Sequence, residues 1–570
     1  MARKELAVDS VAEAYLALLA ERGVEYLFAN AGTDFAPLVE AFAKATRTGM
    51  RVPQPVLATH ENLALSMAHG YAVTSRRVPA TMVHVSVGTA NGVCGALNAA
   101  RENVPMLFTA GRSPLTESGF PGARDVYIHW AQEMFDQAGM LREIVKWEYE
   151  LRNGQQLETV IDRALSIATT PPGGPVYLSL PREILAAPLP GFFYDSPARR
   201  VAAAPPGPDK GAIEEAAGIL AAAENPLIVT ASAGRDPAAV EALAEFARRF
   251  AIPVVQHRPR HLCLPADHSC HFGYDAGPFL DNADAILVLE CDVPWVPSLK
   301  APRPGCKVIH IGVDPLFSRY PIRGFPCDLA VIGAPAAALS ALSEALDRHI
   351  AAPATSERRR RLAEQREKLL AGWQKAGEAV ASLRPIHMAW ASACIARVKP
   401  DDAILVNEYT LMQEHCGSNR PGSYFGSSTA SGLGWGGGAA LGAKLAAPDR
   451  LVIAVLGDGS HLFGNPVAVH HASAMHKLPV LFVIMNNSMW GAVRRATLGM
   501  YPRGEAARSN KPPLIDLDEL PAFEAVCAAA GGYGERVEDP SALPAALERA
   551  VRAVTVEKRQ ALLNVICRGP

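Results

Sequence analysis

Short apolar runs alternate with helical patterns along almost the whole chain. "RLVIAVL" (450–456) and "LPVLFVIM" (478–485) have the length and apolar content of strands buried on both faces. Between them Asn465 is a good N-cap, and Pro466 suits a first helical position where no N–H is needed. The pattern there is strand, loop, helix, strand, with the conspicuous polar residues at the carboxyl ends of both strands. "PVLATHENLALSMAHGYA" (55–72) repeats the theme: an apolar strand, then His60 and Glu61, then a helix whose Leu63, Met67 and Tyr71 face a core. "ADAILVLECD" (283–292) and "CKVIHIGVDP" (306–315) are further strand-then-loop patterns. Such alternation predicts α/β domains, each a parallel sheet flanked by helices.

Composition divides the chain and narrows its class. "AAPLPGFFYDSPARRVAAAPPGPDKG" (186–211) carries six prolines and is a linker; "AAPATSERRRRLAEQREKLLAGWQKAG" (351–377) is a charged helix. The expected organisation is an N-terminal domain over 1–187, a linker over 188–208, a middle domain over 209–348, a connecting helix over 349–384 and a C-terminal domain over 385–570. "RRRR" (358–361) is interleaved with Glu357, Glu364 and Glu367, so a solvated connecting helix is expected rather than a nucleic-acid patch. With 55 Lys and Arg against 57 Asp and Glu, the balance favours neither nucleic acid nor an anionic membrane as partner. The first residues mix acids into helical spacing, so an amphipathic helix is expected and not a signal peptide, and no run approaches a membrane span. Ten scattered cysteines without a CxxC pair fit a reduced, cytoplasmic enzyme. The His and Cys residues of "HRPRHLCLPADHSCHFG" (257–273) match no usual zinc spacing.

The candidate chemistry sits in "GDGSHLFGNPVAVHHASAMHKLPVLFVIMNN" (457–487). Gly457 and Gly459 let backbone N–H groups approach an anion closely, and a helix start beyond them adds a favourable dipole. Asp458 and Asn487 are hard oxygen donors of the kind Mg²⁺ takes beside a substrate phosphate. Glu61, at the head of an apolar helix, is either a desolvated carboxyl suited to proton sharing or a first-turn acid favouring the helix dipole.

These stretches together resemble the thiamin diphosphate family that includes acetolactate synthase, pyruvate decarboxylase and benzoylformate decarboxylase. "HENLALSMAHGYA", "GTANGVCGALNAARENVPMLFTAG" (88–111), "PPGGPVYLSLPREI" (171–184), "NEYT" (407–410) and "PGSYFGSSTASGLGWGGGAALGAKLAAPDR" (421–450) carry the resemblance with the GDG to NN stretch, from about residue 5 to 565. It implies a thiamin diphosphate-binding fold with pyrimidine, middle and diphosphate domains, and thiamin diphosphate with Mg²⁺ as cofactors. By the same resemblance the metal ligands are Asp458, Asn487 and the main-chain oxygen of Met489. Glu61 would hydrogen-bond the pyrimidine N1′, Leu433 would be the apolar wedge beneath the cofactor, and the main-chain oxygen of Ser431 would hold the 4′-amino group. Most members have Gly at the place of Ser431. Gly457, Gly459, Thr410 and Ser460 would meet the diphosphate, whereas Leu411 stands where benzoylformate decarboxylase has a hydroxyl. The family further implies a homodimer or homotetramer with active sites between chains.

Two branches leave marks on the substrate side. "FANAGTDFAPLVEAF" (28–42) places Thr33 at the substrate-contacting serine of benzoylformate decarboxylase, and "HVSVGT" (84–89) places His84 at its catalytic histidine. Its second histidine has no counterpart. "HWAQEMFDQAG" (129–139) instead resembles acetolactate synthase, with Gln132 as its glutamine. "LECDVPW" (289–295) replaces the FAD-binding loop of that enzyme, so FAD is not supported. After Asn487, Ala492 and Ala496 are expected to line an open substrate pocket. The expected activity is decarboxylation of a 2-oxo acid, carboligation to an aldehyde or ketone acceptor, or both. A 2-hydroxyacyl-CoA lyase, marked by a basic pocket mouth, and a non-catalytic scaffold or regulatory subunit are the alternatives.

Overall fold

The computed structural model describes residues 2–349, 352–509 and 511–568. Three parallel sheets form it, each flanked by helices. The first has six strands in the order Gln54–Leu57, Tyr26–Ala29, Ala80–Val83, Met106–Arg112, Pro175–Pro181, Glu148–Glu150. The second has five, Val254–Gln256, Pro226–Thr230, Ala285–Leu289, Lys307–Gly312 and Leu329–Ile332. In the third the order is Tyr424–Gly426, Ile404–Glu408, Val452–Gly457, Leu481–Asn486, Ala561–Ile566, Tyr533–Val537. After Glu408 the chain forms the edge strand on one side, then crosses back to Val452–Gly457 on the other. The carboxyl ends at Glu408 and Gly457 therefore flank a topological switch, where open parallel sheets bind ligands.

Three details differ from the sequence expectation. The N-terminus begins with a strand, Ala2–Leu6, paired antiparallel to Phe192–Ser196 inside the proline-rich linker. The helix that follows, Val11–Glu21, is buried along nearly its full length instead of amphipathic; its Glu13 is tolerated because Ser10 and Lys44 bond it. The charged helix spans Ala352–Ala379, residues 350 and 351 lying outside the described ones. Its arginines divide. Arg360 is solvated between Glu357 and Glu364, but Arg358 is buried and donates to the carbonyls of Ala223 and Phe250 at the ends of two middle-sheet helices. A cation at two helix C-termini satisfies carbonyls that have no partner within their own helices.

The first and third sheets meet through the crossing of Glu61–Ser75 and Trp435–Ala446. Small residues allow the approach: a Cβ on Gly70 would strike the Ala439 carbonyl, and one on Gly442 the Met67 carbonyl. A polar seam ties in the middle sheet. Buried Arg260 donates to Asp292 at 2.8 Å and to Ser232 at 3.0 Å, and its Nε lies 3.5 Å from Glu102. Tyr320 donates to Asp292, and Thr429 N donates to Glu102, so the seam joins all three sheets beside the loop that leads to Ser431.

Candidate active site

The switch crevice of the third sheet gathers one half of the predicted residues. Gly457 ends its strand, and Asp458, Gly459 and Ser460, all buried, open the short helix Asp458–Phe463. Gly459 N donates to Asp458 Oδ1 at 2.8 Å, while Asp458 Oδ2 is buried with no partner. Burial pushes this carboxyl above the usual range, against the opposing pull of the N–H groups of Gly459, Ser488, Met489 and Asn487. Thr410 lies across the crevice, its buried hydroxyl also unpartnered and its methyl 3.5 Å from where a Cβ on Gly457 would stand. Asn487 Oδ1 accepts from Met489 N at 3.1 Å, which folds the 487–489 turn toward Asp458. The Trp490 ring covers Gly459 so closely that no side chain fits there.

Three non-glycine residues around this crevice have left-handed backbones: Tyr409 (φ 78°), Ser431 (φ 55°) and Ser488 (φ 53°). Such conformations cost free energy and cluster where the surrounding structure enforces them for a ligand. Glu408 enforces the one at Ser431. Its carboxylate accepts from Gly434 N at 2.9 Å and Gly436 N at 2.7 Å, clamping the Ser431–Gly434 turn to the head of its helix. Burial pushes Glu408 up to about 7, opposed by the N–H groups of Gly436, Gly434 and Trp435. Asn407 holds the neighbouring turn by accepting from Leu411 N at 3.0 Å. Leu433 is half-buried and Leu411 buried.

The other half comes from the first sheet. Glu61 is 8 % exposed at the first position of its helix, and Asn91 donates to its Oε2 at 3.1 Å. A Cβ on Gly88 would lie 3.3 Å from Glu61 Oε1, so the glycine keeps that oxygen clear. Asn98, two turns along the same helix from Asn91, donates to Gly432 O at 2.9 Å and accepts from Gly432 N at 3.1 Å. One helix face thus spans from the Glu61 carboxylate to the Ser431–Gly434 turn, roughly 10 Å at 1.5 Å per residue.

His84 caps the same helix on the Glu61 side. Its Nδ1 lies 2.6 Å from Asp34 Oδ1 and its Nε2 is 3.2 Å from the Gln132 side-chain nitrogen. The Asp34 hydrogen bond raises the imidazole above its usual range, with the charges of Asp34 and Glu61 adding and burial opposing. Thr33 is exposed beside Asp34 at the start of a short 3₁₀ turn. Ala492 and Ala496 are exposed, and the helix Gly491–Met500 buries no residue; the cleft of about 630 Å³ next to Asn487 and Met489 is lined by its other face, through Arg494 and Leu498.

The arrangement is matched along the chain by three domains of known proteins. Residues 9–140 match the N-terminal TPP binding domain of thiamine pyrophosphate enzymes, 213–342 the central domain and 407–565 the C-terminal TPP binding domain. The chain belongs to the thiamine pyrophosphate enzymes. It is 29 % identical to benzoylformate decarboxylase of Pseudomonas aeruginosa, covering 98 % of this chain and 99 % of that one. Acetolactate synthase isozyme 3 large subunit of Escherichia coli is 24 % identical over 96 % and 92 % of the two chains. A probable 2-ketoarginine decarboxylase of Pseudomonas aeruginosa is 28 % identical over 95 % and 91 %. Among solved structures, benzoylformate decarboxylase of Polynucleobacter necessarius superposes with a TM-score of 0.80 at 20 % identity, covering 99 % of both chains, which shows the shared fold.

The residues present fit the family's cofactor. Two buried oxygens, Asp458 Oδ2 and Thr410 Oγ1, lack hydrogen-bond partners at the carboxyl ends of the switch strands. The Asp458 carboxylate, with the Asn487 amide oxygen and the Met489 carbonyl after the adjacent strand, has the donor types that Mg²⁺ takes beside a diphosphate. Sequence reading missed Asp34, Glu408, Asn91 and Asn98. Asp34 adjoins Thr33 and Glu408 lies two residues before Thr410, and no local pattern distinguishes a buried acid that orients a neighbour from a surface one.

Proposed function

We propose that this thiamine pyrophosphate enzyme catalyses non-oxidative decarboxylation of a 2-oxo acid, carboligation of the product to an aldehyde or ketone, or both, using thiamin diphosphate and Mg²⁺. What carries the reading is a buried Glu61 bonded by Asn91, together with the unpartnered buried oxygens of Asp458 and Thr410 beside the carboxyl ends of adjacent strands of the third sheet. Asp458, Asn487 and the Met489 carbonyl would hold the metal, with Gly457, Gly459, Ser460 and Thr410 around the diphosphate. The Ser431 carbonyl and Leu433 would fix the pyrimidine end, and Glu61 would share a proton with its ring nitrogen. When bound, the cofactor would supply a nucleophilic carbon for the substrate carbonyl and a sink for the electron pair left as CO₂ departs. Thr33, His84 and Gln132 would meet the substrate, His84 exchanging the proton that converts the decarboxylated carbon to an aldehyde. The benzoylformate decarboxylase relative favours an aromatic or branched 2-oxo acid over pyruvate.

A panel of 2-oxo acids, incubated with and without an aldehyde and analysed for CO₂, aldehyde and hydroxyketone, tests this. Strict preference for pyruvate would favour an acetolactate synthase-like role. A second reading, a 2-hydroxyacyl-CoA lyase, is supported by Arg384, Arg494 and Arg568 in the wall of the cleft that reaches Asn487. Turnover of an acyl-CoA with none of any 2-oxo acid would establish it. A homodimer or homotetramer would bring Glu61 of one chain to Asp458 of another, as the family pattern implies. Mixing inactive Glu61→Gln and Asp458→Ala proteins decides: recovered activity places the site between chains, and none after verified subunit exchange keeps it within one.

A further inference from the structure

Asp34 is 3 % exposed and accepts at two atoms: His84 Nδ1 at 2.6 Å on Oδ1, and Val85 N at 3.3 Å on Oδ2. Val85 has φ 32°, a conformation that β-branched residues rarely adopt, so the carboxylate holds a strained turn that points His84 out of the helix start. The packing leaves no slack. A Cβ on Gly32 would overlap the His84 ring, and one on Gly111 would overlap the Asp34 carboxylate. On the far side of the ring, Gln132 presents its amide nitrogen to Nε2, while its Oε1 is buried with no partner. Ser86 fixes the Gln132 main chain by donating to its carbonyl at 2.8 Å, leaving the amide free to turn about its last bond.

That environment has two self-consistent states. With a neutral ring, Nδ1–H donates to Asp34 and Nε2 accepts from the Gln132 amide. With an imidazolium, Nε2–H needs an acceptor, and a turned amide offers the oxygen that now has none. We infer that Asp34 is a positioning residue that reserves Nε2 of His84 as the nitrogen exchanging the proton, and that the Gln132 amide turns over to follow that proton. The inference rests on the decarboxylase reading. In that reaction one proton is consumed per 2-oxo acid: Nε2 gives it to the carbon that loses CO₂, the aldehyde leaves, and water reprotonates Nε2. The other titratable groups facing the ring are Glu61, whose charge adds to that of Asp34, and His129, which burial holds below its usual range.

The test uses Asp34→Asn, which keeps the volume and an acceptor for Val85 N. In cofactor-free protein, the pH dependence of hydrogen–deuterium exchange at the His84 ring carbon, read by peptide mass spectrometry, reports its protonation without any turnover. Wild type should titrate above an ordinary histidine, about 6.5, and Asp34→Asn should lower the midpoint by roughly one unit or more. In loaded enzyme the alkaline limb of product formation should move down with it. Gln132→Leu should leave the midpoint raised, because Asp34 remains, yet slow product formation. An unmoved midpoint in folded Asp34→Asn overturns the proposal, as does an equal fall in Gln132→Leu; if Asp34→Asn does not fold, the Gln132→Leu midpoint decides alone. Loss of all 2-oxo acid turnover in wild type would instead sink the decarboxylase reading while the exchange measurement still judges Asp34.

Discussion

Arg260 stands between two buried carboxylates, Asp292 at 1 % exposure and Glu102 at 3 %. Burial opposes ionisation of Asp292, but the guanidinium and the Tyr320 hydroxyl more than offset it and hold the carboxyl below its usual range. Glu102, farther from the cation, is pushed up by its burial despite Arg260 and Arg235. Replacing Arg260 with Met keeps the stem volume and removes the charge, leaving both carboxyls buried without their guanidinium. Breaking such a pair costs about 3–5 kcal/mol. Because the seam ties three sheets, the loss should appear as local opening: amides around Glu102 and Thr429 should exchange roughly 100- to several-thousand-fold faster at neutral pH. The sign of the pH dependence is a second check. In the variant Asp292 has a raised pKa, so stability is fully retained below the unfolded value near 3.9 and is lost as pH rises through the folded value. The deficit should therefore shrink in acid. The triple variant Arg260→Met, Glu102→Gln, Asp292→Asn should recover most of the loss, since uncharged groups of similar shape need no counter-ion. A single-variant loss below about 1 kcal/mol, or a triple variant no better than the single, would refute the reasoning.

Glu61→Gln should fold and bind thiamin diphosphate nearly as wild type while turnover falls by several orders of magnitude; unchanged turnover would remove Glu61 from the mechanism. Asp458→Ala should weaken cofactor and Mg²⁺ binding together in calorimetry, because the metal would bridge protein to diphosphate, and ordinary affinity would contradict the metal assignment. Ser431→Gly should raise stability, since relieving the left-handed backbone at φ 55° is worth about 1–2 kcal/mol against an entropy cost of about 0.5–1 kcal/mol for glycine, and the carbonyl survives the change; a loss measured by urea unfolding would show that the side chain matters.

The fold was legible because parallel sheets buried on both faces print their strands as continuous apolar runs, and each of "RLVIAVL" and "LPVLFVIM" became a strand of the third sheet. The glycines and oxygens of 457–460 were legible for a related reason: close approach to an anion and to a cation restricts residue type at adjacent positions. What stayed hidden was every residue whose work is done across the fold. Arg358 belongs to a charge run that looks solvated, and only the arrival of two helix ends at one place makes it a buried donor. Asp34 follows Thr33 in a turn that any polar residue could fill, until the strand ending at Val83 brings His84 to it. Glu408 ends one strand of the switch, and the helix it clamps begins beyond the edge strand, within the crossover. In each case a partner distant in sequence supplies the reason for the charge. The acids that orient the site therefore stand within two positions of the residues that motif reading found, because the sheet edge that presents a ligand group must also carry the group that holds it.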